Sequence, residues 1–125
     1  MVLDAGALIA LERSDRALLA RLREASAHEV PVIVPIAALA QVWRGGPRQA
    51  LLARAQQGFV VASFDDRAHR SGELCGLAAT SDVVDASVAI TAAEHQPCTL
   101  FTSDPDDLAP LLRVLGAEQV TLRTC

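Results

Sequence analysis

The sequence predicts an α/β fold in which a mostly parallel central sheet is sandwiched between helices, in a single domain spanning residues 1–125. Three observations lead there. Short apolar runs recur at Val2-Leu3, Val32-Ile33-Val34, Phe59 to Ala62, Cys98 to Thr102 and Val120-Thr121-Leu122, and several of them are β-branched. The stretches between them are long enough for helices and carry helix start and stop signals. Right-handed crossovers between such strands then line up the strand C-termini along one rim, where folds of this class place their sites.

Each element has its own justification. Val2-Leu3-Asp4 reads as a short buried strand, and Ala5 to Leu11, small and apolar, turns helical at once. Ser14 or Asp15 caps the next helix, whose Leu18, Leu19 and Leu22 form an apolar face opposite Arg16, Arg21, Arg23 and Glu24. Pro31 and Pro35 bracket Val32-Ile33-Val34 as the second strand. Ile36 to Trp43 follows as a helix stopped by Gly45-Gly46, and Pro47 opens another with Leu51, Leu52 and Ala55 on one side and Arg48 and Arg54 more exposed. Phe59 to Ala62 is the third strand. Asp65 to Ala79 is helical with a weak point at Gly72 and Gly76, each costing about 1 kcal/mol relative to alanine. Ser81 or Asp82 caps a helix running to about Glu94, with Val84, Val88 and Ile90 available for the core. Cys98 to Thr102 is the fourth strand, Asp106 to Leu115 a helix, and Val120-Thr121-Leu122 a last strand suited to a sheet edge. There is no internal repeat, linker or low-complexity segment.

Composition narrows the function. A chain of 125 residues, 51% of them hydrophobic, buries roughly two-thirds of its unfolded surface and supports an independent core. The longest uncharged apolar stretch, Val32 to Ala40, is too short to cross a bilayer and contains Pro35. No basic leader follows Met1, so the cytoplasm is the expected location. Cys75, Cys98 and Cys125 form no CxxC pair and no zinc rhythm. They are expected as free thiols, Cys75 and Cys98 in apolar surroundings, with Cys125 the candidate for a redox or intermolecular role. All eleven basic residues are arginine, which removes mechanisms needing a lysine nucleophile, a Schiff base or a P-loop lysine. The net charge of −4 does not suit a broad basic nucleic-acid surface, but it permits a nuclease whose acidic site is neutralised by metal.

Four aspartates stand out. Asp4 and Asp104 each come just after a short apolar run, so if those strands are adjacent and parallel the two carboxylates meet at the rim. Helix capping competes for Asp4, and turn chemistry competes for Asp104 in Thr102-Ser103-Asp104-Pro105-Asp106-Asp107. Asp82 and Asp85, three apart, share one helix face at its first turn. Asp82 suits the cap. Asp85, among Val84, Ala86, Val88 and Ala89, needs a partner, and without lysine that partner is a metal ion or an arginine. Hard oxygen ligands without a histidine pattern select Mg²⁺ or Mn²⁺. His28, His69 and His95 read as solvated or capping residues. Mg²⁺ held by aspartates most often serves phosphate esters, polarising the phosphoryl oxygen and lowering the pKa of a bound water.

The segments MVLDAGALIALE, VPIAALAQVWRGG, DVVDASVAITAA and TLFTSDPDDLAPLL, in this order over nearly the whole chain, together resemble PIN-domain ribonucleases of the VapC toxin type. The resemblance implies a PIN-like α/β/α sandwich and a metal-dependent endoribonuclease that cuts structured RNA, often tRNA or rRNA, leaving 5′-phosphate and 3′-hydroxyl ends. It also implies a homodimer held inactive by a VapB-like antitoxin. By that analogy Asp4, Asp85 and Asp104 bind Mg²⁺ or Mn²⁺, with Asp82 or Asp107 as an accessory acid. The family's second carboxylate is usually a glutamate before the VW pair, where this chain has Gln41. Glutamine keeps an oxygen donor and can orient water, but it binds a cation less well and cannot act as a general base. Three outcomes stay open: a working enzyme using the three aspartates and a helper acid, a weakened enzyme, or a binding-only protein.

Trp43 suits core or dimer packing, or base stacking. Arg44 and Arg48 flank Gly45-Gly46-Pro47 and can meet RNA phosphates, antitoxin carboxylates or solvent. Phosphatases with an aspartyl nucleophile also place Asp after a first strand. Those resembling haloacid dehalogenases need a second Asp where this chain has Gly6, and both they and receiver domains need a lysine.

Overall fold

The computed structural model describes residues 1–125. Strands β1 (Val2–Leu3), β2 (Ile33–Pro35), β3 (Val60–Ala62), β4 (Cys98–Thr102) and β5 (Val120–Thr124) form one sheet in the order β3-β2-β1-β4-β5, every neighbouring pair parallel. The helices are α1 (Ala5–Glu12), α2 (Arg16–Ala27), α3 (Ile36–Val42), α4 (Ala50–Ala55), α5 (Ala68–Ala78), α6 (Val83–Glu94) and α7 (Pro105–Val114).

The two-residue period of each strand decides which layer a side chain serves. Val2, Ile33 and Leu100 pack with residues of α5, α6 and α7, such as Leu74, Ile90 and Leu111. Leu3, Val34 and Phe101 pack on the other face with Leu8, Leu11, Leu18 and Leu52, from α1, α2 and α4. The result is the α/β/α sandwich expected from the sequence, with a sheet that is wholly rather than mostly parallel. No single helix is long and apolar enough to cross a membrane.

Local chemistry accounts for the element boundaries. Asp15, not Ser14, caps α2 by accepting the Leu18 amide at 2.8 Å. Pro47 begins a 3₁₀ turn (Pro47–Gln49) before α4, and Asp65–Arg67 forms another before α5. Gly72 and Gly76 do not break α5. They lie exposed with open space where a Cβ would stand, while Ser71, Leu74 and Cys75 are buried. The buried stretch of α6 is longer than sequence suggested: Ala86 to Ala92 are all inside, whereas Val84 is half-buried. Its polar members satisfy themselves within the helix, Ser87 donating to the Val84 carbonyl at 2.7 Å and Thr91 to that of Ser87 at 2.8 Å.

The start of α5 is tied to the end of α6 by Glu94, whose carboxylate takes both Arg67 (2.7 Å) and Arg70. Arg67 is 14% exposed, so its guanidinium is partly cut off from water. Glu94→Ala is expected to cost about 1–2 kcal/mol, between the values for exposed and buried pairs. A urea midpoint unchanged by the substitution would show that Asp66 and the Ser63 carbonyl alone satisfy Arg67.

Candidate functional site

Sheet register brings the strand-end aspartates together. Val2 pairs with Leu100 and Leu3 with Phe101, so Asp4 leaves β1 beside the end of β4, its amide donating to the Phe101 carbonyl at 3.1 Å. Asp4 is 6% exposed. Its Oδ1 caps α1 by accepting the Ala7 amide at 2.7 Å, so the capping role exists and occupies one oxygen. Burial pushes the Asp4 carboxyl above its ordinary range; the Thr102 hydroxyl and the Ala7 and Gly6 amides pull it partly back, and Asp104 pushes it up again. Thr102 is fully buried and accepts the Asp104 amide at 2.8 Å, which fixes the turn after β4. Asp104 stands at the N-terminal boundary of α7, yet its exposed side chain caps nothing.

A glycine makes this approach possible. A Cβ on Gly6 would lie 2.7 Å from Ser103 Cβ and 2.8 Å from Ser103 N, so the first turn of α1 rests directly on the β4–α7 turn.

Asp82 caps α6, its Oδ1 accepting the amides of Val84 and Asp85 at 3.0 Å each. Asp85, one turn further, is half-buried. Burial, followed by the charges of Asp82, Asp107, Asp4 and Asp104, pushes its carboxyl up to about 6. Five aspartates therefore share one field. The molecule's ion pairs join Arg21 to Glu24, Arg67 to Asp66 and Glu94, and Arg70 to Glu94, so no arginine neutralises the five. Asp82, Asp85, Asp106 and Asp107 line a depression of about 310 Å³ between α6 and α7. Asp106, which sequence reasoning passed over as turn chemistry, belongs to this rim. The side chains do not close into a cage, since no three histidine, cysteine, aspartate or glutamate groups stand close enough to enclose a cation.

The other candidates lie on α3 and the loop that follows it. Gln41 is exposed on the last turn of α3, a helix packed against α1 and α6. Arg44 donates to the Trp43 carbonyl at 2.8 Å, and Arg48 and Trp43 are exposed in the same region. Sequence reading missed the residue that holds this loop. Gln49, 4% exposed, accepts the Arg44 and Gly45 amides at 2.9 and 3.0 Å and donates to Glu12 and the Val42 carbonyl at 3.1 and 3.0 Å. All four of its hydrogen-bonding sites are filled. The only signal was the glycine pair beside it, whose φ angles are 76° and 93°.

His28 and His95 end α2 and α6, with Nδ1 donating to the carbonyls of Glu24 (2.9 Å) and Thr91 (2.7 Å). Cys75 is buried in the core, and Cys98 packs against it. Burial, then Asp4 and Asp15, push the Cys125 thiol up to about 11, which disfavours the reactive thiolate. No protein-family model matches this chain, and no curated protein matches it.

Proposed function

We propose that this chain is a toxin-type endoribonuclease of the VapC kind, hydrolysing RNA phosphodiester bonds, of tRNA or rRNA, in the cytoplasm with Mg²⁺ or Mn²⁺. The observation that carries this reading is the group of five aspartates in one field with no arginine to neutralise them. A half-buried carboxylate such as Asp85 is unfavourable there without a cation.

The donor chemistry fits the metal. Asp4, Asp85 and Asp104 offer hard oxygens, with Asp82 or Asp107 in support, and Mg²⁺ keeps several of its waters while taking one or two carboxylates. When bound, the ion supplies charge neutralisation and Lewis acidity at the scissile phosphate. The chain's own groups do the rest. The Ala7 amide holds Oδ1 of Asp4, Thr102 holds the turn that carries Asp104, and Asp82 fixes the first turn of α6 beneath Asp85. Gln41 would act only by orienting water or substrate through hydrogen bonds, since an amide cannot take a proton.

A VapB-like antitoxin is the proposed inhibitor. An apolar groove of about 370 Å³ lined by Leu11, Leu19, Leu22, Leu51 and Phe59, with Arg23 at its side, suits the apolar face of a partner helix. Trp43, 38% exposed, and the exposed Val60 and Val61 of the edge strand β3 suit a homodimer contact.

A second reading, a binding-only protein of the same fold, is favoured by the neutral Gln41 and the unclosed carboxylate set. Cleavage of cellular RNA by the purified protein in Mn²⁺ and in EDTA separates the two. Metal-dependent cutting with 5′-phosphate ends is expected, and Gln41→Glu should raise the rate about tenfold or more by adding a carboxylate. A parent that cuts nothing while Gln41→Glu cuts would assign the parent a binding role. A 2′,3′-cyclic phosphate product would exclude metal-activated water as the attacking group.

A further inference from the structure

The sheet carries a second cavity, of about 390 Å³, on the face opposite α6 and α7, with charged residues beside the apolar Met1, Ala25, Val30 and Phe101. β5 packs against α7 on one side, but its other side, bearing Thr121 and Arg123, is exposed. The cavity opens there, between β4, β5 and α2, with Phe101 and Thr99 contributed by β4.

Its charge sets it apart from the rim. Arg21, His28 and Arg123 line it, against one carboxylate, Glu24. Glu24 is already committed twice: its Oε2 holds Arg21 at 3.0 Å and its backbone carbonyl accepts Nδ1 of His28 at 2.9 Å. That second bond leaves Nε2 of His28 available to a ligand. Arg123 forms no ion pair with any carboxylate. Two guanidiniums and the Thr99 hydroxyl around one space are donors suited to a phosphate, which arginine forks bind by paired hydrogen bonds, and His28 Nε2 would join them only when the ring is protonated. The volume lies in the range of small-ligand sites.

We propose that this cavity binds a phosphate group. The phosphate comes from a small phosphorylated molecule or from an RNA strand, and the RNA source rests on the nuclease reading above. Arg123 pairs with Phe101, which pairs with Leu3, so the Arg123 backbone lies two strand spacings, roughly 10 Å, from that of Leu3.

The test uses the full chain in EDTA, where no metal-dependent cleavage occurs. Arginine and histidine side-chain resonances are followed by NMR while inorganic phosphate, adenosine 5′-monophosphate or a short single-stranded oligoribonucleotide is added. All three probes are expected to shift Arg21, His28 and Arg123. Arg123→Ala and Arg21→Ala should each weaken binding about tenfold, and Arg123→Lys less. Arg113→Ala, on α7, should leave it unchanged. Similar affinity for the monophosphate and the oligoribonucleotide identifies a small ligand; much tighter, Arg123-dependent binding of the oligoribonucleotide identifies RNA. Absence of these shifts, or binding insensitive to both Arg123→Ala and Arg21→Ala, overturns the proposal. A protein that binds phosphate here but cuts no RNA in Mn²⁺ would retain this site and lose the nuclease reading.

Discussion

Asp85→Asn is expected to raise the melting temperature of the metal-free protein at pH 7.5 while reducing its Mn²⁺-dependent RNA cleavage at least roughly a hundredfold. The two effects have one cause. Burial and four neighbouring aspartates push the Asp85 carboxyl from 3.8 up to about 6. Between those values the folded protein holds a proton that the unfolded chain has released, so the contribution of this group to stability falls as pH rises through that window. Above about pH 6 the folded state carries the full penalty of a charged, half-buried, repelled carboxylate. Asparagine removes it. With Asp85 half-exposed and screened by solvent, the gain is on the order of 1 kcal/mol, or about 4 °C in a chain of this size.

A cation competes with protons for the same oxygens. The rise in melting temperature that Mn²⁺ gives the parent should therefore be full at pH 7.5 and fade as pH falls through about 6. Asp85→Asn should show little of that rise at any pH. A variant less stable than the parent at pH 7.5, or one that still responds fully to Mn²⁺, would mean that the aspartate field is not the source of the penalty or does not hold the metal.

Gly6→Ala should lower stability by about 2–3 kcal/mol, the scale of overpacking at a tight contact. The added methyl would stand 2.8 Å from the backbone nitrogen of Ser103, and backbone cannot rotate away as a long side chain can. Either α1 lifts or the β4–α7 turn retreats. Both movements separate Asp4 from Asp104, so Mn²⁺ affinity should fall along with the urea midpoint. Adding Ser103→Gly removes the side-chain part of the clash and leaves the backbone part, so rescue should be partial. An unchanged urea midpoint in Gly6→Ala would show that the turn yields without cost.

The strand-end placement of Asp4 and Asp104, the cap at Asp82 and the need of Asp85 for a partner were all legible in sequence, because strand periodicity and helix-start chemistry are local. The sequence left that partner as metal or arginine, and no arginine of the chain pairs with Asp85. Strand order was not legible. The convergence of Asp4 with Asp104 depends on β1 lying next to β4, and the cavity of Arg21, His28 and Arg123 depends on β5 lying beyond it. Gln49 looked like any polar loop residue, because its four partners come from Glu12, Val42 and the backbone of Arg44 and Gly45. The length of the buried part of α6 was underread because alanine, serine and threonine give weak hydrophobic periodicity, although Ser87 and Thr91 bond within their own helix.

The order β3-β2-β1-β4-β5 also sets a timetable. β1, made before the other four strands, is the middle strand of the sheet, and Val2 finds its partner Leu100 only once β4 has been made. At about 5–20 residues per second, a nascent chain spends on the order of ten seconds with one side of β1 unpaired. Pairing so distant in sequence also makes for slow folding. Until β4 arrives, Asp4 has no Asp104 or Thr102 beside it, so the acidic rim cannot assemble during synthesis of the first three strands. Whatever chemistry the rim performs is withheld until β4 has been made.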